Sequence, residues 1–563
     1  MIEMPPNWYT CGMERQIQRH LSDFFKDEVA SRAGLLERHD GGHPDAADPL
    51  VNSLEYDSRS VKPGTLFFAL PGLHTDGHKY VADAVTKGAV AVVHEAEIAE
   101  KSPGVVYLRV KSSRFSMSPI AAAFYGFPAR RLLIAGATGT EGKSTVVYLI
   151  WQFLRLLGKK AGFFSTVQQS VGGEPQWNPE HQTTPEATVV QRLLWEMAEN
   201  GCSYAVVESS SHGLSPRTNR LGDVEYDATV FTNLGHEHLE FHGTWEQYRD
   251  DKANLFRALN RTRAKTDIPG VQVIPEPFGV VNADDPSAEY FCAVTKRNTL
   301  AFSTTGKDAE LMITAMESSA LGNWYNVLIS SEKSNIDIRD RLPGAFNAGN
   351  VLAAMLAVSG LTGVSVSELA RFCPHLMPVR GRMTTISKGQ PFEVLVDYAH
   401  TPSSFQTIFP PLRKRLDDAG GNAGRIISLF GSAGERDTVK RQEQGKIAAA
   451  YSDFIVLTDE DPRGEKPMDI IEEIARGVFA FSESLVENPG LKRVLFKRDE
   501  NLFLIPDRPA AIRKAMSLAR AGDIVLLLGK GHENTIIYAD RVMPFDEIIE
   551  AEKALDEAAA EKG

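Results

Sequence analysis

The segment Ile134-Ala-Gly-Ala-Thr-Gly-Thr-Glu-Gly-Lys-Ser-Thr145 packs the end of a strand, a glycine loop and the start of a helix into one short run. Leu132, Leu133 and Ile134 read as the end of a buried strand. Gly136, Gly139 and Gly142 permit tight turning, and Lys143-Ser144-Thr145 opens an apolar-patterned helix through Trp151 to Leu157. In that order the three parts make a phosphate cradle. Backbone N–H groups and the helix N-terminus face the anion, Lys143 adds a point charge, and the Ser144 hydroxyl reaches a magnesium ion. Ala137 stands where the strict pattern G-x-x-x-x-G-K-[ST] has its first glycine. The run is therefore either a variant cradle or a chance glycine turn, and its strand-and-helix context favours the cradle.

Outward from the cradle, βα alternation continues through Tyr204-Ala-Val-Val207, Ala228-Thr-Val-Phe231 and Phe278-Gly-Val-Val281. Such alternation implies a mostly parallel sheet covered by helices. Thr262 to Pro277 is polar and proline-containing and reads as a surface excursion, whereas Gly344 to Ser359 is an alanine-rich helix. Upstream, strand patterns at Thr65–Leu70 and Ala89–Val93 flank a helical one from Tyr80 to Lys87, a small α/β unit ending near Pro128. Residues 1–47 are polar and close in the loop-like stretch His39-Asp-Gly-Gly-His-Pro-Asp45. Downstream, Glu393–Val396, Ile426–Phe430, Phe454–Leu457 and Ile524–Leu528 are strands separated by helices. The expected fold class is α/β in three domains: a small N-terminal α/β domain (1–129), a central P-loop domain with a mostly parallel sheet (130–377) and a Rossmann-like C-terminal domain (378–563).

Bulk properties agree. A length of 563 residues suits about three or four domains. The net charge of −12 argues against a nucleic-acid partner, because phosphate contacts need clustered Lys and Arg. Cys11, Cys202, Cys292 and Cys373 are scattered without a CxxC pair, which fits reduced cysteines in a cytoplasmic enzyme. No apolar run is long enough to span a membrane, and Met1-Ile-Glu-Met-Pro-Pro6 lacks the regions of a signal peptide. Cytoplasmic localisation, no membrane insertion and a monomer are the expectations.

Several side chains carry chemistry. Glu208 ends a strand at the carboxyl edge of the sheet, where open α/β folds bind ligands; it reads as a Mg²⁺ ligand or as a solvated strand-end glutamate. Thr232-Asn-Leu-Gly-His-Glu-His-Leu-Glu-Phe-His242 crowds three histidines. It reads as a metal or anion site or as a His-rich surface loop, and Glu240 breaks the zinc-protease pattern H-E-x-x-H. Thr244 reads as the cap of a helix carrying Lys252 at its far end, where a lone lysine is ordinarily a solvated charge.

Gly139-Thr-Glu-Gly-Lys-Ser144, Glu208-Ser-Ser-Ser-His212, Thr232-Asn-Leu…His238 and Lys252 together resemble the ATPase core of the Mur ligase family. The resemblance implies that ATP is bound by Gly139, Thr140, Glu141, Gly142, Lys143, Ser144 and Thr145. It also implies that Lys252 takes up CO₂ to become a carbamate (N6-carboxylysine). Ser144, Glu208, His238 and the Lys252 carbamate then hold Mg²⁺, with Lys143, Glu208, His238 and Lys252 as the catalytic set. It extends along most of the chain. Asp57-Ser58-Arg59 and Lys62–Gly72 are similar to the N-terminal UDP-binding domain of the family's MurE-type branch. Thr183-Thr184-Pro185, Ser210 and Arg220 fall where that branch contacts UDP-MurNAc-L-Ala-D-Glu. Asn282, Asn347, Arg382 and Asp397 fall on nucleotide-pocket elements.

The same resemblance places an amino-acid pocket in the last domain, at Arg436, Glu460, Asp461, Arg463, Gly529 and Glu533. Arginine matches a planar carboxylate bidentately, so Arg463 suits the distal carboxylate of meso-diaminopimelate, with Arg436 on the other carboxylate and Glu533 on an ammonium. Members that take diaminopimelate carry D-N-P-R. Here Glu460 and Asp461 replace the first two residues, and the added negative charge favours lysine or ornithine as the alternative diamino acid. Glu141 departs too, from the family's usual Asn, and Gly235-His236-Glu237 replaces the commoner Ser-Arg-Asp. The implied reaction is ATP-dependent amide synthesis through an acyl phosphate. Folylpolyglutamate synthetase, a dipeptide-adding sibling and a regulatory protein without chemistry are the rivals. Asp57–Arg59 and Thr183–Pro185 argue against the first, Arg463 with Glu533 against the second, and Lys143, Glu208, His238 and Lys252 against the third.

Overall fold

The computed structural model describes residues 17–40, 42, 47–72, 75–179, 182–235, 239–319, 322–418, 424–487 and 494–560. His238 and Cys11, with most of the 39–45 stretch, lie outside the described residues. Three α/β sheets organise the chain, and by its internal contacts the chain divides into two compact units, 1–377 and 378–563.

The first unit holds two of these sheets. A five-stranded one runs in the order Leu35–His39, Val106–Val110, Ala89–His94, Thr65–Phe68, Ser53–Glu55. Its first strand belongs to the segment read from sequence as polar and loop-like. That segment also buries Leu21, Phe24, Phe25 and Val29 against the sheet's core, apolar residues at the i, i+3, i+4, i+8 spacing of a helix face that the sequence reading passed over. The second sheet centres on strands 161–164, 204–208, 133–138, 228–231, 278–282, 299–303 and 311–319, all parallel neighbours in that order. Gly322–Ile329 and Ser334–Arg339 extend it as an antiparallel arm that was not read from sequence. Along the cradle strand, alternate residues feed opposite cores: Leu133, Ala135 and Ala137 on one face, Leu132 and Ile134 on the other.

That strand runs to Thr138, so Gly136 lies inside it and not in the turn. The sequence reading is corrected here: Gly136 makes room for the Tyr226 ring, which a Cβ would meet at 2.5 Å. Turning falls to Gly139 (φ 150°) and Gly142 (φ 83°), conformations that favour glycine. Thr262 to Pro277 carries no regular element, but it is more than a surface excursion. Lys265 is buried, its Nζ donating to Asp227 Oδ2 (2.5 Å), Leu132 O (2.7 Å) and Glu225 O (2.8 Å). Asp227 in turn accepts from Ile134 N at 2.7 Å. Burial pushes this carboxyl up and this ammonium down in pKa, although each partner opposes the shift.

The second unit is one six-stranded sheet in the order Thr384–Ile386, Glu393–Asp397, Ile524–Leu528, Ile426–Phe430, Phe454–Leu457, Leu502–Leu504, parallel except for its first strand. Its helices fill a core on each face. The loops beginning at residues 398, 431, 458 and 529 therefore leave the same carboxyl edge, the side on which open α/β sheets bind ligands. Among the described residues no helix is long and apolar enough to cross a membrane.

Removing one partner of a buried ion pair strands the other charge, at a cost of about 3–5 kcal/mol. Lys265→Ala is accordingly expected to destabilise the first unit by about that amount, measured by denaturant unfolding, with Lys265→Arg losing less.

Candidate active site

The cradle lies at the carboxyl edge of the central sheet. Gly142 is the left-handed cap from which the helix Lys143–Leu156 starts. Lys143 Nζ folds back onto Thr140 O (2.8 Å) and Gly139 O (3.2 Å). Asn233 Oδ1 accepts from Glu141 N at 2.9 Å, and Thr232 Oγ1 donates to Glu141 O at 2.6 Å. The unusual Glu141 thus contributes its backbone to the loop's framework. Asn350 Oδ1 stands 2.6 Å from where a Gly142 Cβ would be, and Asn350 Nδ2 donates to Asn347 Oδ1 at 2.9 Å. Asn282 Nδ2 donates to Thr232 O at 2.8 Å. The helix Phe346–Thr362 and the strand end at Asn282 are thereby brought to the loop. Thr145 lies one residue further along the helix that Lys143 and Ser144 begin.

Glu208 is buried and not a solvated strand end. Its Oε1 accepts from Ser144 Oγ (3.0 Å) and Thr166 Oγ1 (2.9 Å), its Oε2 from Thr166 N (2.8 Å). Thr166 was missed by sequence reading, since nothing but its position after the neighbouring strand Ala161–Phe164 marks it. The hydroxyls of Ser144 and Thr166 with this carboxylate are hard oxygen donors. They fit Mg²⁺, which takes one or two carboxylates together with substrate phosphates. Among the described residues no group of three His, Cys, Asp or Glu side chains is set to hold a metal.

Thr244 caps the helix Trp245–Leu259 by accepting from Gln247 N. Lys252 lies in the interior of that helix and is 2% exposed, which corrects both its placement at the far end and the solvated-charge reading. Its Nζ donates to Gly139 O at 2.6 Å and sits 4.5 Å over the Tyr248 ring. Tyr248 OH shares a hydrogen bond with Thr140 Oγ1 (3.1 Å). Of the three histidines, His242 is fully buried between Asp251 (2.7 Å) and Ser211 (3.0 Å).

A second cluster adjoins Glu208. Thr184 Oγ1 donates to Glu208 O (3.0 Å) and accepts from Ser210 N (3.1 Å) and Ser210 Oγ (2.9 Å). Arg220 donates to Thr184 O and to Glu186 Oε1, both at 2.8 Å, and Arg114 also donates to Glu186 Oε1 at 2.8 Å. Thr183 precedes this cluster. Ser58 lies in the N-terminal sheet domain, its carbonyl accepting from Lys87 Nζ (3.0 Å).

In the second unit, Lys530 is buried and its Nζ donates to Asp461 Oδ1 (2.9 Å) and Glu533 Oε2 (2.5 Å). Tyr398 OH donates to Glu533 Oε1 at 3.2 Å. Burial raises the Glu533 pKa; Lys530 opposes the shift, while Asp461 and Glu460 add to it. Glu460 is buried with Oε2 unpaired, 3.1 Å from where a Gly529 Cβ would stand. Arg463 is half-buried and bonds through its backbone to Ile537 O at 2.9 Å. Arg436 is exposed, and among the described residues no hydrogen bond joins it to this set. Arg382 covers the Tyr398 ring at 4.7 Å, and Asp397 accepts from Met383 N (2.7 Å) and Ala399 N (2.8 Å). Burial raises the Asp397 carboxyl, against the pull of Arg382.

Two outcomes follow from this geometry. A Cβ at Gly139 would collide with the Thr232 hydroxyl, so Gly139→Ala is expected to abolish nucleotide binding, measured by calorimetry. Asp459 is pushed up to about 6 by burial, with Tyr538 and Arg508 opposing, from an ordinary 3.8. The folded chain therefore holds this proton where the unfolded chain has released it, and stability falls as pH rises from about 4 to about 6. Asp459→Asn is expected to gain in melting temperature relative to the parent between pH 4.5 and 7, read from melts at both.

Comparison with known proteins agrees over nearly the whole chain. Residues 50–125 match the Mur ligase family catalytic domain, residues 137–358 the Mur ligase middle domain, and residues 381–531 the Mur ligase glutamate ligase domain. The UDP-N-acetylmuramyl-tripeptide synthetase of Treponema denticola is 50% identical, covering 90% of this chain and 94% of its own. The UDP-N-acetylmuramoyl-L-alanyl-D-glutamate–2,6-diaminopimelate ligase of Geobacillus thermodenitrificans is 36% identical, covering 92% and 96%. A solved structure of a ligase with that same name superposes with a TM-score of 0.57 at 26% identity, covering 90% of this chain and 95% of that one. The chain belongs to the Mur ligase family.

Proposed function

We propose that this protein is the ATP-dependent ligase that adds a diamino acid to the D-glutamate of UDP-MurNAc-L-Ala-D-Glu, a step in peptidoglycan precursor synthesis. The observation that carries this is the contact of two built clusters at one strand end. Glu208 faces the nucleotide cradle with its carboxylate and the Thr184–Ser210–Arg220 cluster with its carbonyl. A phosphoryl donor and a carboxylate acceptor bound on either side of Glu208 would be held for in-line transfer.

In this reading the domains are 1–129 for the UDP-sugar end, 130–377 for ATP and 378–563 for the amino acid. Ser58, Thr183, Thr184, Ser210 and Arg220 bind the UDP-linked substrate. Gly139–Thr145, Asn282, Asn347, Arg382 and Asp397 bind ATP. Lys143 swings from its backbone carbonyls to the phosphates. Ser144, Glu208, His238 and a CO₂-derived carbamate on Lys252 would hold Mg²⁺, which would supply charge neutralisation at the phosphates. An oxygen of the D-glutamate γ-carboxylate attacks the γ-phosphorus, ADP leaves, and an acyl phosphate results. The amine of the diamino acid then attacks the acyl carbon; it loses a proton, and phosphate departs with the C–O bond.

Diaminopimelate is the leading amine, on the argument that Arg463 meets its distal carboxylate. Lysine or ornithine is the second reading, favoured by the unpaired Glu460 oxygen in an already acid-rich pocket. The localisation is cytoplasmic and the protein acts as a monomer.

Phosphate release is expected only with UDP-MurNAc-L-Ala-D-Glu, ATP and one diamino acid together, the product identified by mass. Turnover with glutamate as the amine, or without the UDP substrate, would overturn the assignment. Lys143→Ala is expected to lower kcat on the order of 10²–10³-fold. Lys252→Ala should lose activity that bicarbonate does not restore.

A further inference from the structure

The charged pair Arg508–Glu547 has no part in the reaction as described, yet both side chains are fully buried. Arg508 opens the helix Arg508–Leu518 and Glu547 opens Glu547–Ala560. The guanidinium donates to both carboxylate oxygens, Nε to Oε2 at 2.7 Å and Nη2 to Oε1 at 2.8 Å. Two more of its N–H donors go to backbone carbonyls, Asp459 O (Nη1, 2.8 Å) and Leu528 O (Nη2, 2.7 Å). Leu528 is the last residue of its strand, and Asp459 lies two beyond Leu457. From these two points leave the loops that carry Glu460, Asp461 and Arg463 on one side and Gly529, Lys530 and Glu533 on the other.

Above that fork the loops are stitched directly. Asp461 Oδ1 accepts from Lys530 Nζ and from Ile537 N, Arg463 N donates to Ile537 O, and Tyr538 OH donates to Asp459 Oδ2. Replacing a buried ion pair by apolar side chains is often neutral or stabilising, so stability alone gives weak reason for one here. A planar fork with fixed donor directions can hold two carbonyls at a set spacing, which neither lysine nor a hydrophobic residue does. We infer that Arg508, held by Glu547, is a positioning residue for amine recognition: it fixes the separation of the two loops that form the amino-acid pocket. This rests on the reading that those loops bind the amine.

The test is steady-state kinetics on the full chain with diaminopimelate, lysine and ornithine as amines. Arg508→Lys keeps the charge and loses the fork. It is expected to raise the KM of whichever amine supports turnover at least tenfold, with KM for ATP and for UDP-MurNAc-L-Ala-D-Glu within twofold of the parent and kcat at saturating amine largely retained. A purely structural role would lower the active fraction without moving the amine KM, or move all three KM values together; either result overturns the proposal. If Arg508→Lys does not fold, Glu547→Asp, which keeps both charges and draws the carboxylate back by one methylene, is judged by the same criterion. Arg463→Ala and Glu533→Gln separate the two levels of the argument. If neither raises the amine KM, the pocket assignment itself fails. If they do and Arg508→Lys does not, only the positioning role fails.

Discussion

Glu208, with its buried carboxylate, is the point on which the two polar clusters at the edge of the first unit's central sheet depend. A charge with 1% exposure is tolerated in the interior only when its oxygens are bonded. Here they are met by the hydroxyl that opens the cradle helix and by both donors of Thr166. The strand Tyr204–Glu208 lies between the cradle strand and Ala161–Phe164. One side chain can therefore gather groups from three neighbouring parallel strands because all three end at the same edge. The same residue's carbonyl anchors Thr184, and through it Ser210 and Arg220. Displacing Glu208 would thus disturb two sites at once.

The sheets were legible because a buried parallel strand is a short apolar run between helical patterns, and the central runs of the chain have that form. The cradle was legible because its glycines sit at fixed offsets from Lys143. What failed to show are contacts made by fold and not by pattern. Lys252 reads as a helix-surface charge until the helix packs against the Gly139 carbonyl. Thr166 and Lys265 carry no local signal, since their partners lie far along the chain. Gly136 looked like a turn residue because a strand's end cannot be fixed from three apolar residues. The candidate pocket residues of the second unit came through resemblance, and one of them, Arg436, has an exposed side chain.

Lys252 and Lys530 are both buried, in different surroundings. Lys252 donates to the Gly139 carbonyl and faces the Tyr248 ring. Lys530, by contrast, is clamped between Asp461 and Glu533. In the proposed reaction the first becomes an oxygen ligand, while the second offsets two acids.

That offset is incomplete, and the shortfall bears on the amine choice in the proposed pocket. Asp461 and Glu533 share one ammonium, while Glu460 adds a third carboxylate with an unpaired, buried oxygen. In a site of low effective dielectric such an imbalance is costly until a cation arrives. A diamino acid brings an ammonium at each end, so it supplies what the pocket lacks. A monocarboxylic diamino acid brings it without a further negative charge, whereas diaminopimelate requires Arg463 to be free for its second carboxylate. The Arg463 backbone is committed to Ile537, but its Nε is an unpaired donor. Carboxylate capture therefore remains within this side chain's means, and in the proposed pocket the balance between Glu460 and Arg463 would decide the amine.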